Sequence, residues 1–140
     1  MSVAFGTSKR TSTPSLAAAR SGALILKESV RFYSEGMSGP AFRHGPMETL
    51  TPEIFAVVFA GAESTRELQQ NLVRDIRQAG GRAAWVAEES VEPWKLPEVP
   101  GDLRHIVEIL PAQMLTLGLA AQKGIEAGRF AIATKVTTTE

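Results

Sequence analysis

The segment Pro14–Met47, PSLAAARSGALILKESVRFYSEGMSGPAFRHGPM, decides how the rest of the chain is read. Thr13 or Ser12 can cap the free amides of a helix, Pro14 suits its first turn, and small and aliphatic residues continue to about Tyr33. Gly22 lies inside that helix at a cost of about 1 kcal/mol relative to alanine, which close packing would offset. Downstream, the Gly and Pro of GMSGPAFRHGP end the helix and predict an irregular segment carrying His44. An acid on a helix, Glu28, and an imidazole on a loop therefore fall within one short span.

Beyond this segment, 140 residues with 44% apolar content suffice for one domain with a real core, and not for two. Fifteen basic and fifteen acidic residues cancel, so charge points to no nucleic-acid partner. Cysteine is absent, which excludes disulfides, thiolate metal sites and a cysteine nucleophile, and fits a cytoplasmic chain. The first ten residues, MSVAFGTSKR, lack the apolar run of a secretory signal. The longest apolar stretch, Phe55–Ala62, is far short of a membrane span.

Residues 1–13 read as an irregular segment or a displaced first strand, because SVAF is followed by polar, turn-prone GTSKRTSTPS. Gly6–Ser8 is open to two readings, a phosphate-binding loop at a helix entry or a plain turn. After the histidine, Leu50–Glu53 connects to FAVVFAG at Phe55–Gly61, a strand buried on both faces. Ser64 and Glu67 form a capping box for a helix with Leu68, Leu72, Ile76 and Ala79 at helical spacing, ended by Gly80 and Gly81. AAWVAEE is a further strand, Val91–Arg104 a proline-rich loop, and HIVEIL at His105–Leu110 another strand. Pro111 then opens a helix to about Gly124. This order predicts an α/β chain, a three-layer α/β/α domain with a parallel sheet of about four strands, flavodoxin-like.

Open α/β sheets bind ligands beyond the carboxyl ends of their strands. There the turn GAEST lacks GxGxxG and carries Glu63, which repels phosphate, so a dinucleotide site is not expected. No Walker motif, HExxH or GxSxG elbow is present. Two histidines sixty-one positions apart, without cysteine, make no zinc pattern, and no metal or organic cofactor is called for.

ALILKE at Ala23–Glu28, FRHGP at Phe42–Pro46 and KVTTTE at Lys135–Glu140, in that order, resemble the sugar isomerase (SIS) family. The resemblance is to the second half of the isomerase domain of glucosamine-6-phosphate synthase and to related deaminases and deglycases, and it runs from about Pro14 to the last residue. It implies a single SIS-type domain over residues 14–140, the carboxyl-terminal half of a usual double-SIS protein. It also implies three catalytic residues. Glu28 would move a proton between C1 and C2 of the sugar, work that suits a carboxylate at the edge of an apolar pocket. His44 would open the sugar ring, in the synthase from the neighbouring subunit. Lys135, six residues from the chain end, would clamp the sugar from a folded tail.

Each has an ordinary alternative: Glu28 as a surface charge paired with Arg31, His44 as a loop tie to a backbone carbonyl, Lys135 as a solvated tail cation. His105 reads as structural, Trp85 as core and Trp94 as loop packing. Two departures matter. Ile25 stands where the synthase has an active-site lysine, and the SxSGxT-like phosphate loop of the first SIS half has no counterpart here. The resemblance thus implies a phosphosugar domain of the ketose–aldose isomerase type. Deaminase, deglycase and non-catalytic binding are the alternatives. A sugar phosphate is the expected partner, together with a second copy as homodimer or a chain supplying the first SIS half.

Overall fold

The computed structural model describes residues 2–7, 14–100, 103–130 and 132. Strands β1 (Ser2–Thr7), β2 (Ser34–Ser38), β3 (Ile54–Phe59) and β4 (Arg82–Val86) form an all-parallel sheet in the order β2-β1-β3-β4. Helices α1 (Pro14–Val30), α2 (Gly39–Arg43), α3 (Arg66–Gln78), α4 (Arg104–Glu108) and α5 (Leu110–Lys123) accompany it. The expected three-layer α/β/α architecture is present.

Alternation along β3 separates the two layers. Val57 and Phe59 pack with Ala19, Ala23, Leu26 and Val30 of α1 and with Ala112, Leu119 and Ala120 of α5. Ala56 and Val58 pack on the other face with Phe42 of α2 and Leu72, Val73 and Ile76 of α3. With both faces covered, the strand reads as a continuous apolar run rather than an alternating one. Trp85 sits with the α3 layer, and the Trp94 ring lies 5.7 Å from that of Phe55.

α1 approaches the sheet closely at Gly36 of β2. A Cβ built there would stand 2.5 Å from the Ala19 carbonyl oxygen and 2.5 Å from Arg20 Cα. Only glycine allows that seat. Ser34 fixes the same contact by donating its hydroxyl to the Ala23 carbonyl at 2.7 Å. At the far end of the fold, Gly124 (φ 62°) closes α5 in the left-handed conformation, where the sequence places the helix end.

Of the two readings of residues 1–13, Ser2–Thr7 takes the strand: β1 lies between β2 and β3, in register with both. Three local expectations are corrected. GMSGPAFRHGP, residues 36–46, expected to be irregular, begins in the edge strand β2, formed by pairing with β1 despite the polar text SEGMS, and continues into α2. HIVEIL is not a strand, since its residues lie in α4 and the start of α5; α4 packs on α1. A six-residue apolar run is ambiguous between the two periods, and the helix neighbour decides it. The capping box does not form either. Ser64 lies in a tight turn, Glu63–Thr65, and Thr65 donates its hydroxyl to the Ala62 carbonyl at 2.9 Å instead of capping α3.

Candidate functional site

Glu28 lies in the last turns of α1, exposed to solvent. Because α1 joins the parallel neighbours β1 and β2, it runs opposite to the strands, and Glu28 comes to the amino end of the sheet. Arg31 ends the helix with φ 53°, its amide bonding the Lys27 carbonyl and that of Phe32 bonding Leu26. This leaves carbonyls of the final turn free to accept other donors. Lys123, the last residue of α5, donates its ammonium to the Val30 carbonyl at 2.9 Å and stands 5.2 Å from the centre of the Phe32 ring. A cation at a helix carboxyl end also opposes the dipole charge there.

The chain beyond α5 docks on the same turn. Gly128 donates its amide to the Ser29 carbonyl at 3.3 Å, and Arg31 donates a guanidinium hydrogen to the Arg129 carbonyl at 3.3 Å. Lys27, Glu28, Arg31, Glu126 and Arg129 are all exposed along this turn and the tail docked on it. Lys135 lies outside the described residues, as do Ser8 and the closing KVTTTE.

His44 occupies a different layer. It follows α2, exposed, its amide bonding the carbonyls of Pro40 and Ala41. It lines a hollow of about 420 Å³ between α2 and α3, shared with Arg43, Gln69, Arg74 and Asp75 among others. Across this hollow Arg43 pairs with Asp75 at 2.7 Å. Since α1 covers one face of the sheet and α2 the other, the structure does not bring Glu28 and His44 of one chain together. His105, expected in a structural place, is exposed on α4.

The carboxyl rim of β3 and β4 holds a network that sequence reasoning missed. Arg66 pairs with Glu63 at 2.9 Å, Glu89 at 2.6 Å and Glu88 at 3.3 Å, and Arg104 pairs with Glu88 and donates to the Gly61 carbonyl at 3.2 Å. The Glu89 hydrogen bond, with help from Glu88, holds the Arg66 guanidinium above its usual range against the cost of burial. Partial burial pushes the Glu89 carboxyl up, but hydrogen bonds from Arg66 and the Trp85 indole outweigh it and leave the group below the usual carboxylate range. These charges pair with one another at the rim where such sheets commonly bind ligands, around an open hollow of about 530 Å³ that Glu98 and Val99 also line.

A second missed pair lies by the first turn of α1. The Ser15 hydroxyl donates to Glu108 Oε1 at 3.0 Å; both residues are buried, and Glu108 Oε2 has no hydrogen-bond partner among the described residues. Desolvation pushes the Glu108 carboxyl up, opposed by the Ser15 bond and by Arg104. The signal available in the text was the acid within the apolar run IVEIL, where burial disfavours the charged form.

Among the described residues no group of three or more His, Cys, Asp or Glu side chains could hold a metal ion, and no helix is long and apolar enough to cross a membrane. No family model matches the chain. It is similar to the isomerizing glutamine–fructose-6-phosphate aminotransferase of Pyrococcus horikoshii, 30% identical over 112 residues, covering 74% of this chain and 18% of that protein. The chain spans 16–21% of the length of the first curated relatives it matches. Among solved structures it is similar to glucosamine-6-phosphate deaminase from Thermotoga maritima, with a TM-score of 0.79 at 18% identity, covering 96% of this chain and 39% of that one. The C-terminal domain of glucosamine-fructose-6-phosphate aminotransferase from Francisella tularensis superposes with a TM-score of 0.75 at 18% identity, over 90% of this chain and 37% of that one. At such identities the superpositions speak for the fold alone.

Proposed function

We propose, from the premise that this chain belongs to the sugar isomerase (SIS) family, that it is one SIS half which binds an amino sugar phosphate and serves its ketose–aldose isomerisation. The reading takes residues 14–140 with the strand before them as the domain, working in the cytoplasm. Glu28 is the base that carries the proton between C1 and C2. Lys135 closes over the sugar from the tail, and His44, supplied by another copy, opens the ring.

One observation carries the reading. The first tail residues beyond α5 are hydrogen-bonded to the turn that follows Glu28, at Ser29 and Arg31. A tail leaving from Arg129 has six residues to Lys135, roughly 20 Å fully extended, enough to fold back over that turn. Lys27 and Arg31, near Glu28 in the chain, and Arg129, tied to that turn through its carbonyl, supply exposed basic side chains that suit an anionic sugar phosphate. Loss of nitrogen, as in a deaminase or deglycase, begins with the same proton movement and remains the alternative chemistry.

A second reading, phosphosugar binding without catalysis by the lone chain, is favoured by the separation of Glu28 and His44 on opposite layers. Incubation with fructose 6-phosphate and glucosamine 6-phosphate in deuterated water separates the two. Deuterium entering C1 or C2 supports isomerisation. A melting shift without exchange supports binding alone, and neither signal removes both.

A further inference from the structure

A glutamine, Gln69, occupies a place in α3 that packing alone would give to an apolar side chain. Leu72, Val73 and Ile76 fill the buried stripe of this helix and pack with Phe42, Ala56 and Val58, yet its fourth buried position carries a carboxamide. Gln69 is 2% exposed, and its Oε1 has no hydrogen-bond partner among the described residues. A buried acceptor left unpaired works against folding, a cost that leucine would not carry. Gln69 also lines the hollow of about 420 Å³ between α2 and α3, a volume within the range of small-molecule sites. The last torsion of a glutamine is soft, so a small rotation brings the oxygen to the wall of that hollow, where a donor could complete it.

The rest of the lining sets the chemistry of such a donor. Basic groups come from both helices, Arg43 and His44 from α2 and Arg74 from α3. Asp75 is the one acid in the lining, and Arg43 holds it at 2.7 Å. Arg74 has no acid partner among the described residues; Asn71 Oδ1 holds one of its nitrogens and so fixes the guanidinium beside the hollow. Positive charge therefore exceeds negative, and Pro40, Leu68 and Leu72 add apolar wall. We infer that the hollow is a binding site for a small hydroxydicarboxylate, whose hydroxyl donates to Gln69 Oε1 while one carboxylate meets Arg74 and the other meets Arg43 and His44. A planar carboxylate matches the fork of a guanidinium. A phosphate monoester fits less well, because it concentrates nearly two negative charges at one end of a molecule while Asp75 stands in the same wall.

The inference goes beyond the sugar reading and does not rest on it. L-malate, succinate and glucosamine 6-phosphate are the probes, applied to the full chain. Calorimetric titration at low salt is expected to show L-malate binding at least tenfold tighter than succinate, which has the same two carboxylates and no hydroxyl. Backbone amide shifts are expected at Arg43–His44 and along Gln69–Asp75. Arg74→Gln is expected to weaken malate binding at least tenfold. Gln69→Leu is expected to abolish the preference for malate over succinate and, by removing the unpaired acceptor, to raise the melting midpoint of the unliganded chain; Gln69→Met, closer in shape, repeats both readouts. A glutamine with a purely structural role would lower the midpoint when replaced and show no link to the hydroxyl. Absence of heat and of shifts at millimolar malate overturns the inference, as do equal affinities for malate and succinate, or a malate affinity indifferent to Arg74→Gln. Shifts at these residues from glucosamine 6-phosphate and none from malate would make the hollow a phosphate site and overturn it too. Deuterium entry into the sugar is measured without malate, so the two readings fail separately.

Discussion

Replacing Gly36 by alanine drives a methyl group into the backbone of α1, the helix that carries Glu28. The new carbon would lie 2.5 Å from the Ala19 carbonyl oxygen, 2.5 Å from Arg20 Cα and 2.6 Å from the Ala19 carbonyl carbon. Comfortable non-bonded contact begins near 3.5 Å, so helix and sheet must part by roughly 1 Å. No side chain can swing aside, because all three atoms are backbone. Overpacking of this kind costs about 1–3 kcal/mol, and the rigidity of the neighbour places Gly36→Ala at about 3. For a domain of this size that lowers the melting midpoint by roughly 10 °C. Gly118→Ala makes the same chemical change in α5 where the added carbon meets nothing within 4 Å, and a gain of up to about 1 kcal/mol is expected. Urea titrations of the three proteins decide the matter. If Gly36→Ala stays within about 0.5 kcal/mol of wild type, α1 is not seated on β2 as described.

Three further outcomes follow from the site. Glu28→Gln is expected to reduce any sugar-phosphate exchange by about 10²–10⁴-fold while leaving stability within about 0.5 kcal/mol, since the side chain is exposed; equal rates for the two proteins in deuterated water would remove its role as base. Lys123→Met loses the bond to Val30 and the contact with Phe32, costing about 1–2 kcal/mol, with faster amide exchange at Gly128; unchanged exchange there would mean the tail is not tied to α1. Glu108, its acid raised by burial, contributes stability that is fully present below the unfolded carboxylate range, near pH 4, and is lost as pH rises through its higher folded value. Glu108→Gln should therefore gain on wild type as pH is raised above about 4 in paired urea melts, and an advantage for wild type that widens with pH would contradict a carboxyl raised by burial.

The parts of the fold that local pattern controls were legible. FAVVFAG reads as a strand because both of its faces are covered, α3 reads as a helix from apolar spacing and its glycine end, and α5 from Pro111 at its start and Gly124 at its end. What escaped was decided by neighbours. SEGMS has no strand pattern and becomes β2 by pairing with β1 and by the glycine that admits α1. HIVEIL has the β-branched text of a strand but packs as a helix on α1. Glu28 and His44 could be picked out from the text around them, yet their placement on opposite layers depends on where β2 lies in the sheet. The Ser15–Glu108 pair, 93 residues apart, and the Arg66–Glu89 pair, 23 apart, are products of the fold and leave little trace in local sequence.

The location of the sugar site is tested most directly by titrating the isotopically labelled chain with glucosamine 6-phosphate and following backbone amide signals. Shifts concentrated at Lys27–Arg31 and from Gly128 onward, and lost in part on Glu28→Gln, are the expected result. Shifts confined to the α2–α3 hollow around Arg43 and Arg74, or no shifts at millimolar sugar phosphate, would contradict a site built on the end of α1 and the chain that folds against it.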